Sequence, residues 1–334
     1  YETILQNFSN NIRAQQGLAA LDKIVQNNVI QHPPQEEFSQ LVNLYNQGQM
    51  AAVIEQAESL TAQYPGAYIV WNILGASRAQ IGKLEEALKA LKKSISLKPD
   101  YADAYYNMGY VLYHLDNLED AIKAYQKCIS LKPDYAQAYS NMGVALKNQG
   151  KFDEGISSIK KSISLNPNDA EAYSNLGVAL KDQGKLDEAV EAHQKSILLK
   201  PSRPEAYNNL GNTLKEQGRL EQALETYNKA ILLKPNYVDA CLNKSFIYNL
   251  YGDFKKGLEL YEFRLKQKNS AVRAPRKNLI WDGNKPLSGK KFLVYEEQGL
   301  GDAIQFCRYL PLLKQKGAEV IFKVQKKMHT LLGS

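Results

Sequence analysis

Proline recurs at a fixed interval through most of this chain: Pro65, Pro99, Pro133, Pro167, Pro201 and Pro235 stand 34 residues apart. Glycine keeps the same step at Gly75, Gly109, Gly143, Gly177 and Gly211. A small residue keeps it at Ala87, Ala121, Gly155, Ala189 and Ala223, and an aromatic ring at Trp71, Tyr105, Tyr139, Tyr173 and Tyr207. Such a period makes each repeat one supersecondary unit, which cannot bury its apolar face alone and must stack on its neighbours. Within a repeat, apolar and small residues return at three- and four-residue spacing, so two amphipathic helices are predicted in each. In repeat 102–135 they fall at 102–114 and 118–131.

The recurring residues have physical roles in this scheme. Gly109 and Ala121 carry almost no side chain and let two helix backbones approach closely. Large rings such as Tyr105 and Tyr125 are expected to fill the gaps between neighbouring repeats. Pro133 ends the second helix because it cannot continue one. Gly150, Gly184, Gly218 and Gly252 mark the turn inside each repeat, where a left-handed backbone favours glycine. Pro204 opens its helix, where a missing N–H costs nothing.

This period and these residues resemble the tetratricopeptide repeat. The resemblance implies an all-α fold, a right-handed solenoid of helix–turn–helix units spanning 34–271. A degenerate unit at 34–67 keeps Gly48 and Pro65, and further units start at 68, 102, 136, 170, 204 and 238. The last keeps Gly252, Gly257 and Tyr261 but has Ser245 and Asn269 in the glycine and proline slots. Atypical end units are expected, since an end unit has one unstacked face. Residues 1–33 form an N-terminal segment with a helix around 14–26.

The chain carries +7 formal charges, and residues from Ser270 onward, with 12 Lys and Arg against 5 Asp and Glu, account for all of it. A basic segment favours anionic ligands in general, yet no basic stripe interleaved with aromatics marks a nucleic-acid partner, and none is expected. No apolar run is long enough to span a bilayer. Cys128, Cys241 and Cys307 are scattered and odd in number, so neither a metal site nor a disulfide framework is expected, consistent with a reducing cytoplasm. Cys128 shares its slot with Ser94, Ser162, Ser196 and Ala230, and reads as a small core residue. His193 shares the slot of Tyr125 and Tyr227 and reads as packing, not as a ligand. The chain begins with Tyr1, so a fragment or a processed product is expected.

The first helices of stacked repeats line the concave side, and one slot there is constantly polar: Asn107, Asn141, Asn175, Asn209 and Asn243. Asparagine carries both donor and acceptor, so a ladder of them suits the backbone of an extended peptide. The alternative is a hydrogen bond between adjacent helices. The ladder resembles that of protein O-linked N-acetylglucosamine transferases, with "AYSNLG" at 172–177 very similar. Lys147, Lys181 and Lys215 share another slot, where they either meet an acidic partner or balance Asp182 and Glu216. Chaperone-binding tetratricopeptide domains hold a terminal carboxylate with lysine early in the first helix. Asp103, Gln137, Glu171, Glu205 and Asp239 stand there in this chain, so no such clamp is expected.

The helical period stops near Lys268. A Pro-, Gly- and Asn-containing linker spans 272–288. It is followed by a strand-like run at 291–297, the turn Gln298-Gly299-Leu300-Gly301-Asp302, a helical pattern over 303–316 and a second strand-like run at 319–324. Strand, glycine turn, helix, strand opens a parallel α/β sheet. The text Trp281-Asp-Gly283, Glu297-Gln-Gly-Leu-Gly-Asp-Ala-Ile-Gln-Phe306 and Arg308-Tyr309 resembles bacterial proteins that join tetratricopeptide repeats to a heptosyltransferase-like glycosyltransferase domain. Tyr261-Glu262-Phe263-Arg264 is similar to the close of their last repeat.

That resemblance implies that 289–334 is the truncated start of a Rossmann-like catalytic domain. It implies Asp302 as general base toward an acceptor hydroxyl, against the plain alternative of a helix cap. Glu297, Gln298, Gly299 and Gly301 would form the acceptor-side loop. The full-length protein would use a nucleotide sugar as donor, while this chain holds no cofactor or metal and is expected to be inactive alone. The function implied is a protein- or peptide-binding scaffold that recruits substrate for such an enzyme. The alternative is an interaction scaffold without a catalytic role.

Overall fold

The computed structural model describes residues 32–266, 286, 288–295 and 310–323. The predicted helix at 14–26 and most of the predicted linker lie outside these. The chain divides into two compact units, Tyr1–Lys234 and Pro235–Ser334.

The first unit is a stack of antiparallel helix pairs. The first (A) helices are α1 (Gln35–Asn46), α3 (Tyr68–Gln80), α5 (Ala102–His114), α7 (Ala136–Asn148), α9 (Ala170–Asp182) and α11 (Pro204–Glu216). The second (B) helices are α2 (Met50–Gln63), α4 (Leu84–Leu97), α6 (Leu118–Leu131), α8 (Phe152–Leu165), α10 (Leu186–Leu199) and α12 (Leu220–Leu233). The bounds of α5 and α6 coincide with those predicted from the period.

The glycine slot of each A helix is a packing feature. A Cβ built on Gly75, Gly109, Gly143, Gly177 or Gly211 would lie 2.6, 2.7, 2.5, 2.5 or 2.5 Å from Leu91, Tyr125, Ile159, His193 or Tyr227. The large side chain of the B helix thus lies directly on the backbone of its own A helix. Glycine inside a helix costs roughly 1 kcal/mol relative to alanine, and full burial of a large apolar side chain recovers about 1.5–3 kcal/mol. Tyr125 fills the gap between repeats as expected, and does so while lying on Gly109 of its own repeat. Ala138 of the next repeat then closes over the same cluster.

The turn between A and B helices needs a left-handed residue. Gly48, Gly82, Gly150, Gly184 and Gly218 take it with φ between 73° and 83°, and Asp116 takes it with φ 60°. Proline ends the repeat as expected, one residue beyond a C-cap such as Lys132.

In the second unit, α13 (Val238–Leu250) and α14 (Phe254–Tyr261) form another helix pair, closed by a 3-10 turn at Glu262–Lys266. Further on, β1 (Lys291–Tyr295) pairs in parallel with β2 (Glu319–Lys323), in the register Lys291↔Glu319 to Tyr295↔Lys323. The connection holds α15 (Leu310–Gln315). Gly317, at φ 82°, turns the chain into β2. Its carbonyl accepts from Gly289 N–H at 3.0 Å, and Lys290 C=O accepts from Glu319 N–H at 2.9 Å. Among the described residues, the α/β part consists of these two strands and this helix.

Candidate functional site: the A-helix face

Consecutive A helices of the first unit approach one another more closely than consecutive B helices do. The stack therefore curves with the A helices inside, and their free face is the concave one. The asparagine slot lies along it. Asn107 Nδ2 donates to Asn72 Oδ1 at 2.9 Å, Asn141 Nδ2 to Tyr106 Oη at 3.2 Å, Asn175 Nδ2 to Ser140 Oγ at 3.2 Å and Asn209 Nδ2 to Ser174 Oγ at 3.3 Å. Every acceptor belongs to the preceding A helix, 35 residues back, so the asparagines tie neighbouring repeats together. Each is half-buried. A primary amide has two N–H donors and an acceptor oxygen, so one bond to a neighbour leaves chemistry on the exposed side. Asn243 occupies the same slot on α13 in the second compact unit, also half-buried.

The lysine slot forms a chain of ion pairs. Lys147 Nζ lies 3.2 Å from Asp182, which lies 2.8 Å from Lys181, which in turn lies 3.2 Å from Glu216. Burial alone would lower the pKa of Lys181, but the hydrogen bonds and charges of Asp182 and Glu216 outweigh it and hold it raised. Burial would likewise raise Asp182, yet Lys181 and Lys147 hold it below the ordinary carboxylate value. Lys215, next in the row on α11, also has an interaction partner. Lys147 and Lys181 thus spend their charge within the stack.

Asp302 and its neighbours Glu297, Gln298, Gly299 and Gly301 lie outside the described residues. Among the described residues no group of His, Cys, Asp and Glu is placed to hold a metal. No helix of the described residues is long and apolar enough to cross a membrane. Cys128 and Cys241 are free and buried. Burial pushes the Cys128 thiol up to about 12, so it stays protonated and is no nucleophile. His193 is fully buried, with both ring nitrogens lacking hydrogen-bond partners.

One feature of the concave face escapes a reading based on what the repeats share. Tyr106, Tyr110 and Tyr113 stand at i, i+4 and i+7 on α5, where α7, α9 and α11 carry serine or asparagine, then valine or asparagine, then lysine. The departure from the period was the signal. Tyr110, Tyr113, His114, Tyr125, Asn141 and Val144 line a cleft of about 70 Å³. The Tyr110 and His114 ring centroids are 4.4 Å apart, and those of Tyr113 and His114 are 5.3 Å apart, edge to face. Tyr106 continues the aromatic surface, stacked on Tyr135 at 5.0 Å. Tyr113 Oη accepts from Asn148 Nδ2 at 2.8 Å, which fixes that ring against α7.

Family models described as TPR repeat match residues 75–116, 109–150 and 179–218. Models described as tetratricopeptide repeat match 136–169, 204–237 and 159–191. The comparison with curated proteins gives no match. Among solved structures, the APC/C hetero-tetramer Cut9-Hcn1 is similar with a TM-score of 0.61 at 18% identity, over 70% of this chain and 46% of that one. This chain thus spans under half the length of that relative. A structure from Pseudomonas aeruginosa, pilF, is similar with a TM-score of 0.53 at 20% identity, over 61% of this chain and 93% of that one. YrrB, described as a TPR protein with an unusual peptide-binding site, gives 0.43 at 24% identity, over 55% and 95%. At 18% and 20% identity the first two likenesses are of fold alone.

Proposed function

We propose that this chain, a solenoid of tetratricopeptide repeats, is a scaffold that holds an extended segment of a partner protein along its A-helix face. The observation that carries the reading is the half-buried asparagine row: each side chain is fixed by a neighbouring repeat, and four successive repeats present the same amide, each one step further along a concave surface. Rigid, evenly spaced amides suit a peptide backbone, because their hydrogen bonding needs no particular side-chain sequence. The test is selection of a displayed peptide library on the full chain. It is followed by crosslinking from a photoreactive residue placed at Val144 or Val178 on the A helices, or at Lys160 or Glu191 on the B helices. Crosslinks from the A positions alone support the reading, and crosslinks from the B positions alone refute it.

A finer reading places the solenoid as the substrate-recruiting arm of a nucleotide-sugar-dependent glycosyltransferase. What supports it is the parallel pairing of β1 with β2, which suits the opening of a Rossmann-type sheet. In this reading Asp302 takes the acceptor proton, and Glu297, Gln298, Gly299 and Gly301 shape the loop around it. The reading is tested on the gene product that includes this chain, by titration with uridine, guanosine and adenosine diphosphate sugars under ligand-observed NMR and by a sugar-transfer assay, with Asp302→Asn as comparison in both. Loss of transfer in Asp302→Asn with unchanged sugar binding supports it. Full transfer in the variant refutes the assignment of the base.

A further inference from the structure

The cleft on α5 and α7 is unlike the rest of the concave face, and its surroundings say what fits it. Its lining is rings and one amide: Tyr110, Tyr113, His114, Tyr125 and Asn141, closed by Val144. Tyr110 is 38% exposed, so its ring is open to a ligand. Asn141 gives one N–H to Tyr106 Oη, and its side chain, which also carries an acceptor oxygen, lines the cleft.

Charge along the concave face is divided: acidic residues stand in first turns, and His114, Lys147 and Lys181 stand in last turns. The first turn of α5 carries Asp103 and that of α9 carries Glu171. The Tyr106 hydroxyl, beside the cleft, is raised mainly by burial, opposed by Asn141, with Glu171 adding to the rise. The one lysine on α5 and α7 is Lys147, already paired with Asp182 at 3.2 Å. Electron-rich ring faces and unneutralised carboxylates both attract a cation. A guanidinium or ammonium also carries N–H donors for the Asn141 oxygen and the tyrosine hydroxyls, which an apolar side chain lacks.

Resting on the scaffold reading above, we infer that the cleft formed by Tyr110, Tyr113, His114, Asn141 and Val144 is a subsite for an arginine or lysine side chain of an extended partner segment. The asparagine row treats all sequences alike, and this subsite supplies the choice among them. It sets the register, because only one repeat of the stack carries it.

The test uses the full chain. Dodecamer peptides are selected by display, and those whose binding falls in Asn141→Ala/Asn175→Ala are kept as groove-dependent. In a synthetic copy, each Arg is replaced by citrulline, which keeps shape and removes charge, or each Lys by norleucine, and affinity is read by fluorescence anisotropy. The expected result is that one such replacement weakens binding to the wild type by roughly fivefold or more. The same replacement changes binding to Tyr110→Leu, or to Val144→Lys, by less than about twofold. Val144→Lys places a competing cation in the cleft without removing a ring, which covers the case in which Tyr110→Leu disturbs folding. Groove-dependent peptides anchored instead by Leu, Phe or Pro would overturn the inference and leave the scaffold reading standing. So would a replacement effect equal in wild type and both variants. If no groove-dependent peptide emerges, both fall.

Discussion

His193 offers a test of how the repeats pack. Its ring lies on Gly177, where two other repeats place Tyr125 and Tyr227 on Gly109 and Gly211. Burial, helped by the positive charge of Lys181, pushes its pKa from the ordinary 6.5 down to about 4. The folded protein therefore holds the neutral ring, while the unfolded chain takes up a proton as the pH falls below 6.5. Stability from this group is full above about pH 6.5 and is lost as the pH falls toward about 4. At 1.36 kcal/mol per pKa unit, the loss is about 3 kcal/mol, an order-of-magnitude figure. His193→Phe keeps a ring on Gly177 and removes the titration. Urea unfolding of both proteins by circular dichroism, at steps between pH 7.5 and pH 4.5, gives the difference directly, since the carboxylates titrate alike in both. His193→Phe is expected to hold a constant difference from the wild type down to about pH 6.5 and to gain on it steadily below that. A difference that stays flat with pH would refute the claim that this ring is buried and neutral.

Two further outcomes are expected from slots that the repeats share. Asp116→Gly should stabilise the protein by about 0.5 kcal/mol, because relief of a left-handed non-glycine residue outweighs the added chain entropy of glycine. A lower urea midpoint would contradict the strain assigned to Asp116 at φ 60°. Ser162→Ala and Ser196→Ala should differ although they occupy one slot. Ser196 Oγ donates to Ala170 C=O at 2.6 Å and its loss should cost about 1 kcal/mol, while Ser162 Oγ is buried without a partner and its removal should be neutral or stabilising. Equal effects in chemical denaturation would contradict the assignment.

The fold of the solenoid is legible in the sequence because its determinants are local and repeated. Gly109, Tyr125 and Pro133 each act within one repeat, so their spacing alone gives the helix bounds of α5 and α6. What periodicity does not give is which large side chain a glycine faces, since Leu91, Ile159 and His193 replace the ring in that slot without changing the pattern. The asparagine row was visible, but its partners were not. Asn72, Tyr106, Ser140 and Ser174 are different residue types joined only by the step between neighbouring A helices. The cleft at Tyr110 and Tyr113 was hidden for the opposite reason. It is made by residues that break the repeat, and a pattern built on recurrence passes over them.

The central claim is that the concave A-helix face binds an extended segment through its asparagine row. The most direct measurement is the affinity of a library-selected peptide for wild type and for Asn141→Ala/Asn175→Ala, by calorimetry, with the melting temperature of each measured beside it. These side chains also bond Tyr106 and Ser140 at 3.2 Å, so a modest fall in melting temperature is expected. Affinity should fall tenfold or more for a loss of roughly 1.5 kcal/mol in hydrogen bonding to the peptide, in a variant that remains folded at the assay temperature. Unchanged affinity in that folded variant would contradict the claim and leave the asparagines as ties between repeats.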